Sequence, residues 1–152
     1  MDSTTNNLLA ERYLGSVTYE DYIDWAVKCL ESDIDSKNIR ILASLQKLSD
    51  SYEVENYFNR SLNDLGWKVP DERECLMAYA RGFAEQIVSG AISPVEGCDR
   101  IYRIVLALQY PREMSCWIFL DERLDPEGFS YLHGPELDQA IVSAANRFIN
   151  EQ

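Results

Sequence analysis

Apolar residues recur at three- and four-residue spacing along almost the whole chain, and each run is bracketed by residues that start or stop helices. Thr18 with Asp21 has the form of a capping box, and Tyr19, Tyr22, Ile23, Ala26, Val27 and Leu30 follow at helical spacing. Asp35 or Ser36 can cap a second helix whose apolar face is Ile41, Leu42, Leu45 and Leu48. A third carries Val54, Tyr57, Phe58, Leu62 and Leu65 and is closed by Gly66, the residue best suited to a left-handed C-terminal turn. Pro70 fits the first turn of a fourth, where its missing N–H costs nothing, and Asp71, Glu72 and Glu74 suit the positive end of its dipole. That helix continues through Leu76, Tyr79, Ala80, Phe83, Ala84 and Ile87 to Gly90. Ser93-Pro94-Val95-Glu96 repeats the start signal ahead of Cys98, Ile101, Ile104, Val105 and Leu108, and Pro111 ends the run. A short apolar piece, Cys116 to Leu120, and a last stripe of Leu137, Ala140, Ile141, Ala144, Ala145 and Phe148 complete the series.

No period-two alternation and no Asn-Gly turn competes with this pattern. The expected fold is all-α: a single compact bundle of about seven helices with short loops, residues 1–152 forming one domain. A chain of 152 residues buries roughly 68–70% of its unfolded surface, enough to fold without a disulfide or a metal. The uneven helix starts, near 18, 36, 51, 71 and 94, leave a solenoid as a minor alternative, because no period near 34 recurs.

Charge is distributed unevenly. The formal net charge is -12, and residues 1–35 hold eight acids against Arg12 and Lys28. Residues 121–138 hold six acids against Arg123 alone. So acidic a chain is a poor partner for phosphate backbones, whose binding depends on Lys and Arg displacing counterions, and for anionic membranes. No run approaches the roughly 18 apolar residues of a membrane span, and the N-terminus lacks the pattern of a signal peptide. Four scattered cysteines without a C-x-x-C pair read as free thiols in a reducing cytoplasm.

Catalytic and metal-binding patterns are weak. His133 is the only histidine and could act as a general base with Ser130 or Tyr131, but its place before Gly134-Pro135 reads as a loop residue at the entry to the last helix. Asp121, Glu122, Asp125 and Glu127 offer hard oxygen ligands, yet their spacing is wrong for an EF-hand loop. A single histidine excludes the di-iron bundle pattern. Neither a cofactor nor a metal is expected, and no enzymatic activity.

What remains is surface. Aromatic residues fall within both acidic segments, and rings ringed by carboxylates suit a basic protein partner, with charge steering the encounter and aromatic anchors holding it. The expected partner-binding residues are Asp21, Asp24, Trp25, Glu31 and Asp33 in the first segment, and Asp121, Glu122, Asp125, Glu127, Phe129 and Tyr131 in the second. A homo-oligomeric scaffold, using stripes such as Leu76 to Ile87, is the alternative, and a small hydrolase built on His133 the weakest.

Trp25-Ala26 with Leu30, Ile41-Leu42-Ala43, Leu65-Gly66, Ser89-Gly90-Ala91-Ile92-Ser93-Pro94-Val95-Glu96-Gly97, Leu120-Asp121-Glu122 and Leu137-Asp138-Gln139-Ala140-Ile141, in that order, resemble a loose group of small helical bacterial proteins of uncharacterised function. The resemblance spans most of the chain and implies an all-helical fold. It transfers no catalytic residue. By analogy with small acidic helical bacterial proteins that neutralise toxins, it implies an immunity-type function.

Overall fold

The computed structural model describes residues 1–45, 50–122 and 134–150. Among these, the chain forms eight α-helices and one short 310 helix, with no strand. The helices are α1 (Ser3–Tyr13), α2 (Tyr19–Glu31), α3 (Lys37–Ser44), α4 (Ser51–Asp64), α5 (Glu72–Ser89), α6 (Pro94–Ala107), α7 (Ser115–Asp121) and α8 (Pro135–Asn150), with the 310 turn at Arg112–Met114. Contacts group into two compact units, Met1–Cys75 and Leu76–Gln152.

The start signals act as the sequence indicates. The Thr18 hydroxyl accepts from the Asp21 N–H, and the Asp21 carboxylate accepts from the Thr18 N–H at 2.7 Å, so two otherwise unpaired donors are satisfied together. Ser93 caps α6, with Pro94 in its first turn. Gly66 adopts φ 64°, and the Trp67 N–H reaches the Leu62 carbonyl at 3.0 Å, closing α4 in a Schellman turn.

Several expectations are corrected. Pro70 precedes α5, and the cap is Asp71, whose Oδ1 accepts from the Glu74 N–H at 2.8 Å. Of the two residues offered as the cap of α3, Ser36 takes the role, its hydroxyl accepting from the Ile39 N–H, while Asp35 holds Arg40 in a two-bonded ion pair. That pair and the Ser36 backbone keep the Asp35 carboxyl below the usual carboxylate range. The buried stripe of α3 is Ile39 and Leu42. Ile41 and Leu45 are only half-buried, Leu45 having already left the helix at ψ 145°, and Leu48 lies outside the described residues. Helix α1 is an addition to the helices expected from apolar spacing.

In the first unit Phe58 is the hub. It is fully buried, and its ring centre lies 4.7 Å from that of Tyr22 and 4.8 Å from that of Trp25. Leu9, Ala26, Ile39, Leu42, Val54 and Leu62 complete this core. Two polar ties hold α1 to it. The Trp25 indole N–H donates to the buried Thr5 hydroxyl at 2.8 Å, and Arg12 bridges Glu55 at 2.5 Å and Asn59 at 3.0 Å on α4.

The second unit is built around α6, whose Cys98, Ile101, Ile104 and Val105 are fully buried. They pack with Trp117 and Leu120 of α7 and with Ile141, Ala145 and Phe148 of α8. Trp117 and Phe148 meet edge to face, their ring centres 6.0 Å apart. The approach of α5 to α6 is close at Gly97, which abuts Ile87, while Arg100 lies over the Phe83 ring. The stripe Leu76, Ala80, Phe83, Ala84 and Ile87, expected to offer a face for self-association, is buried within the chain.

Candidate functional site

Helices α1 and α2 are joined by a short turn through Gly15 at φ 69° and run back along each other, with Thr5 level with Trp25. Between their outer faces lies a groove of about 210 Å³. Each helix supplies one row at positions i, i+3, i+4 and i+7: Thr4, Asn7, Leu8 and Glu11 from α1, and Asp21, Asp24, Trp25 and Lys28 from α2. Leu8 and Trp25 are apolar and nearly covered, whereas Asp24 and Lys28 are exposed.

Three of the residues expected to bind a partner therefore meet here, in different roles. Asp21 is half-buried, and its Oδ2 takes both bonds from Thr18, to N–H and to hydroxyl, each at 2.7 Å. Asp24 and Lys28 make no hydrogen bond or ion pair with a described residue. Trp25 is only 2% exposed, so it belongs to the core and cannot serve as the protruding anchor expected of it. Arg12, one of the two cations of the segment, is engaged by Glu55 and Asn59 of α4.

Glu31 and Asp33 lie beyond the groove. Glu31 is the exposed last residue of α2. Asp33 holds φ 60°, and the Ile34 N–H behind it reaches the Cys29 carbonyl at 2.9 Å, so Asp33 is the left-handed residue that terminates the helix. A carboxylate there faces the negative end of the helix dipole and a side chain there strains the backbone. Replacing Asp33 with glycine is expected to raise stability by roughly 0.5–1 kcal/mol in urea unfolding, since both penalties vanish together. A lower stability would show that the carboxylate has a structural partner.

Of the second acidic segment, Asp121 and Glu122 are described and, in the first turn of α8, Glu136 and Asp138, all in the second unit. Burial, then Asp99 and Glu122, pushes the Asp121 carboxyl above its usual range. Tyr102 and Tyr110 share a hydrogen bond close by, and the Tyr102 phenol is pushed up by desolvation, by Tyr110 and by the charges of Asp121 and Glu122. Asp125, Glu127, Phe129, Tyr131 and His133 lie outside the described residues. Sequence reasoning missed Thr4, Asn7, Glu11 and Lys28 in the first site and Asp99, Tyr102 and Tyr110 beside the second. The matching i, i+3, i+4, i+7 rows were the available signal for the groove, but they have meaning only once α1 is known to be a helix.

Cys29, Cys75 and Cys98 are buried free thiols, and Cys116 is half-buried. Burial, followed by the charges of Asp121, Cys116 and Asp99, pushes the Cys98 thiol up to about 12. A thiol whose pKa is higher folded than unfolded contributes stability in full below the unfolded value and loses it as pH rises through the folded one. The protein should therefore lose up to about 4 kcal/mol through Cys98 between pH 9 and pH 12. Urea unfolding across that range should show a shallower decline for Cys98→Ala than for the parent; equal slopes would refute the assignment.

Among the described residues, no group of three or more His, Cys, Asp or Glu side chains is arranged to hold a metal ion. No described helix is long and apolar enough to cross a membrane. Comparison with protein-family models, curated proteins and solved structures finds no match.

Proposed function

We propose that this chain is a non-enzymatic protein that binds a basic protein partner through an acidic surface, in the manner of a toxin-neutralising immunity protein acting in the cytoplasm. The observation that carries the reading is the α1–α2 groove, where Glu11, Asp21 and Asp24 stand together while Arg12 is engaged on α4. Carboxylates so placed raise the encounter rate with a cationic surface and set the orientation in which it docks. Asp121 and Glu122 in the second unit belong to the same reading as a further acidic contact.

The test is capture from a lysate of the source organism on the immobilised chain, followed by affinity measurement on the retained basic protein. Asp24→Lys and Glu31→Lys in the first unit, with Asp121→Lys and Glu122→Lys in the second, should weaken binding by roughly 100-fold at low salt, with a smaller effect at high salt. Asp21 is left intact because its carboxylate caps α2. Unchanged affinity in the fourfold variant, with the helical circular dichroism preserved, overturns the acidic-surface reading.

A further inference from the structure

The groove between α1 and α2 is bipolar, and its two ends are spaced like alternate residues of an extended peptide. Asp21 and Asp24 stand one helical turn apart on α2, with Glu11 on the facing α1 row towards the turn that joins the two helices. Lys28 stands one turn further along, towards the Thr4 end of the groove. At 1.5 Å rise per residue, Asp24 and Lys28 are about 6 Å apart along the helix axis. An extended chain advances about 6.6 Å over two residues and presents those two side chains on the same side.

Asp24 and Lys28 make no ion pair with each other or with any described residue. Both Thr18 bonds to Asp21 fall on Oδ2, which leaves Oδ1 outside the capping box. Between the poles, Leu8 and Trp25 offer an apolar floor, 6% and 2% exposed, on which methylene stems can lie.

Building on the acidic-surface reading, we infer that this groove binds an extended partner segment with a basic and an acidic residue two positions apart. The basic side chain lies against Asp21 and Asp24, and the acidic one against Lys28. An arginine suits the first position, since its planar fork can bridge two carboxylates one turn apart. A purely basic segment would meet Lys28 and be disfavoured, so the groove adds selection among cationic partners to the general attraction of the surface.

The test is nuclear magnetic resonance titration of the intact chain with capped tripeptides at low salt. The probes are arginine-alanine-glutamate, arginine-alanine-arginine and glutamate-alanine-glutamate. Saturable shifts of the Asp24 and Lys28 amides and the Trp25 indole N–H are expected with the first, which should bind about tenfold more tightly than either other peptide. Asp24→Asn should abolish that preference. Lys28→Glu should invert it towards arginine-alanine-arginine, a gain that loss of folding cannot mimic. Equal binding of all three peptides, or no saturable shift with any, overturns the inference. A chain that still captures a basic protein from lysate but ignores these peptides would refute the groove and leave the broader reading standing.

Discussion

Phe58→Ala is expected to destabilise the protein by about 3–5 kcal/mol, the largest loss of any single truncation in the first unit. Phe58 is fully buried, and its ring is shared by Tyr22 and Trp25 at centre separations of 4.7 and 4.8 Å. Truncation removes the transfer free energy of the ring, leaves a cavity between α2 and α4, and deletes two aromatic contacts worth about 0.5–1.5 kcal/mol each. The packing also fixes the rotamer of Trp25, which forms part of the groove floor. Equilibrium urea unfolding measures the loss, and hydrogen exchange should place the greatest fall in protection in α2 and α4. A cost below about 1 kcal/mol would mean that neighbouring side chains collapse into the space.

Gly97→Ala should cost about 1–2 kcal/mol even though alanine is the better helix former. At an exposed helical site the exchange would favour alanine by about 1 kcal/mol. Here the added Cβ would overlap Cγ1 and Cδ1 of Ile87, with Cδ1 of Ile92 at 3.1 Å. Ile87 is 3% exposed, so it has no solvent to swing into, and α5 and α6 must separate or Ile87 must leave its rotamer. Adding Ile87→Ala removes the obstruction. The double variant should therefore lose less than the two single losses combined, a coupling of about 0.5–3 kcal/mol that only direct contact produces. Additive losses, or a more stable Gly97→Ala, would show that the helices accommodate a methyl group.

Gly97 also shows what can and cannot be read along a chain. Its position after Ser93-Pro94-Val95-Glu96 placed it in the first turns of a helix, and the structure confirms that helix. Its need to be glycine comes from Ile87, ten residues away, and periodicity carries no trace of that contact. The same division runs through the molecule. Caps and turns depend on residues within five positions of one another, so Thr18, Gly66 and Ser93 were legible. The α1 helix was not, because its buried residues Thr5, Leu8, Leu9 and Ala10 do not form an apolar stripe by themselves. It is held by Trp25 and by Glu55 and Asn59, which only the folded chain brings near. The candidate site inherits that gap. Asp21 and Asp24 stood out by charge, whereas Glu11, Asn7 and Lys28 acquire their meaning from a groove that exists only when α1 packs on α2. Trp25 was misjudged for the opposite reason: an aromatic residue among acids looks like an anchor until its N–H is found bonded to Thr5 inside the core.

The two buried indoles differ in one atom's surroundings. The Trp25 N–H is bonded to a hydroxyl, whereas the buried Trp117 N–H meets no acceptor among the described residues. An excited indole relaxes against whatever its N–H touches, so Trp117 should emit at a shorter wavelength than Trp25. Trp25 belongs to the first unit and Trp117 to the second. With half-buried Trp67 replaced by phenylalanine, the protein becomes its own two-colour probe, in which the red or the blue side of the emission band reports which half of the chain opens first.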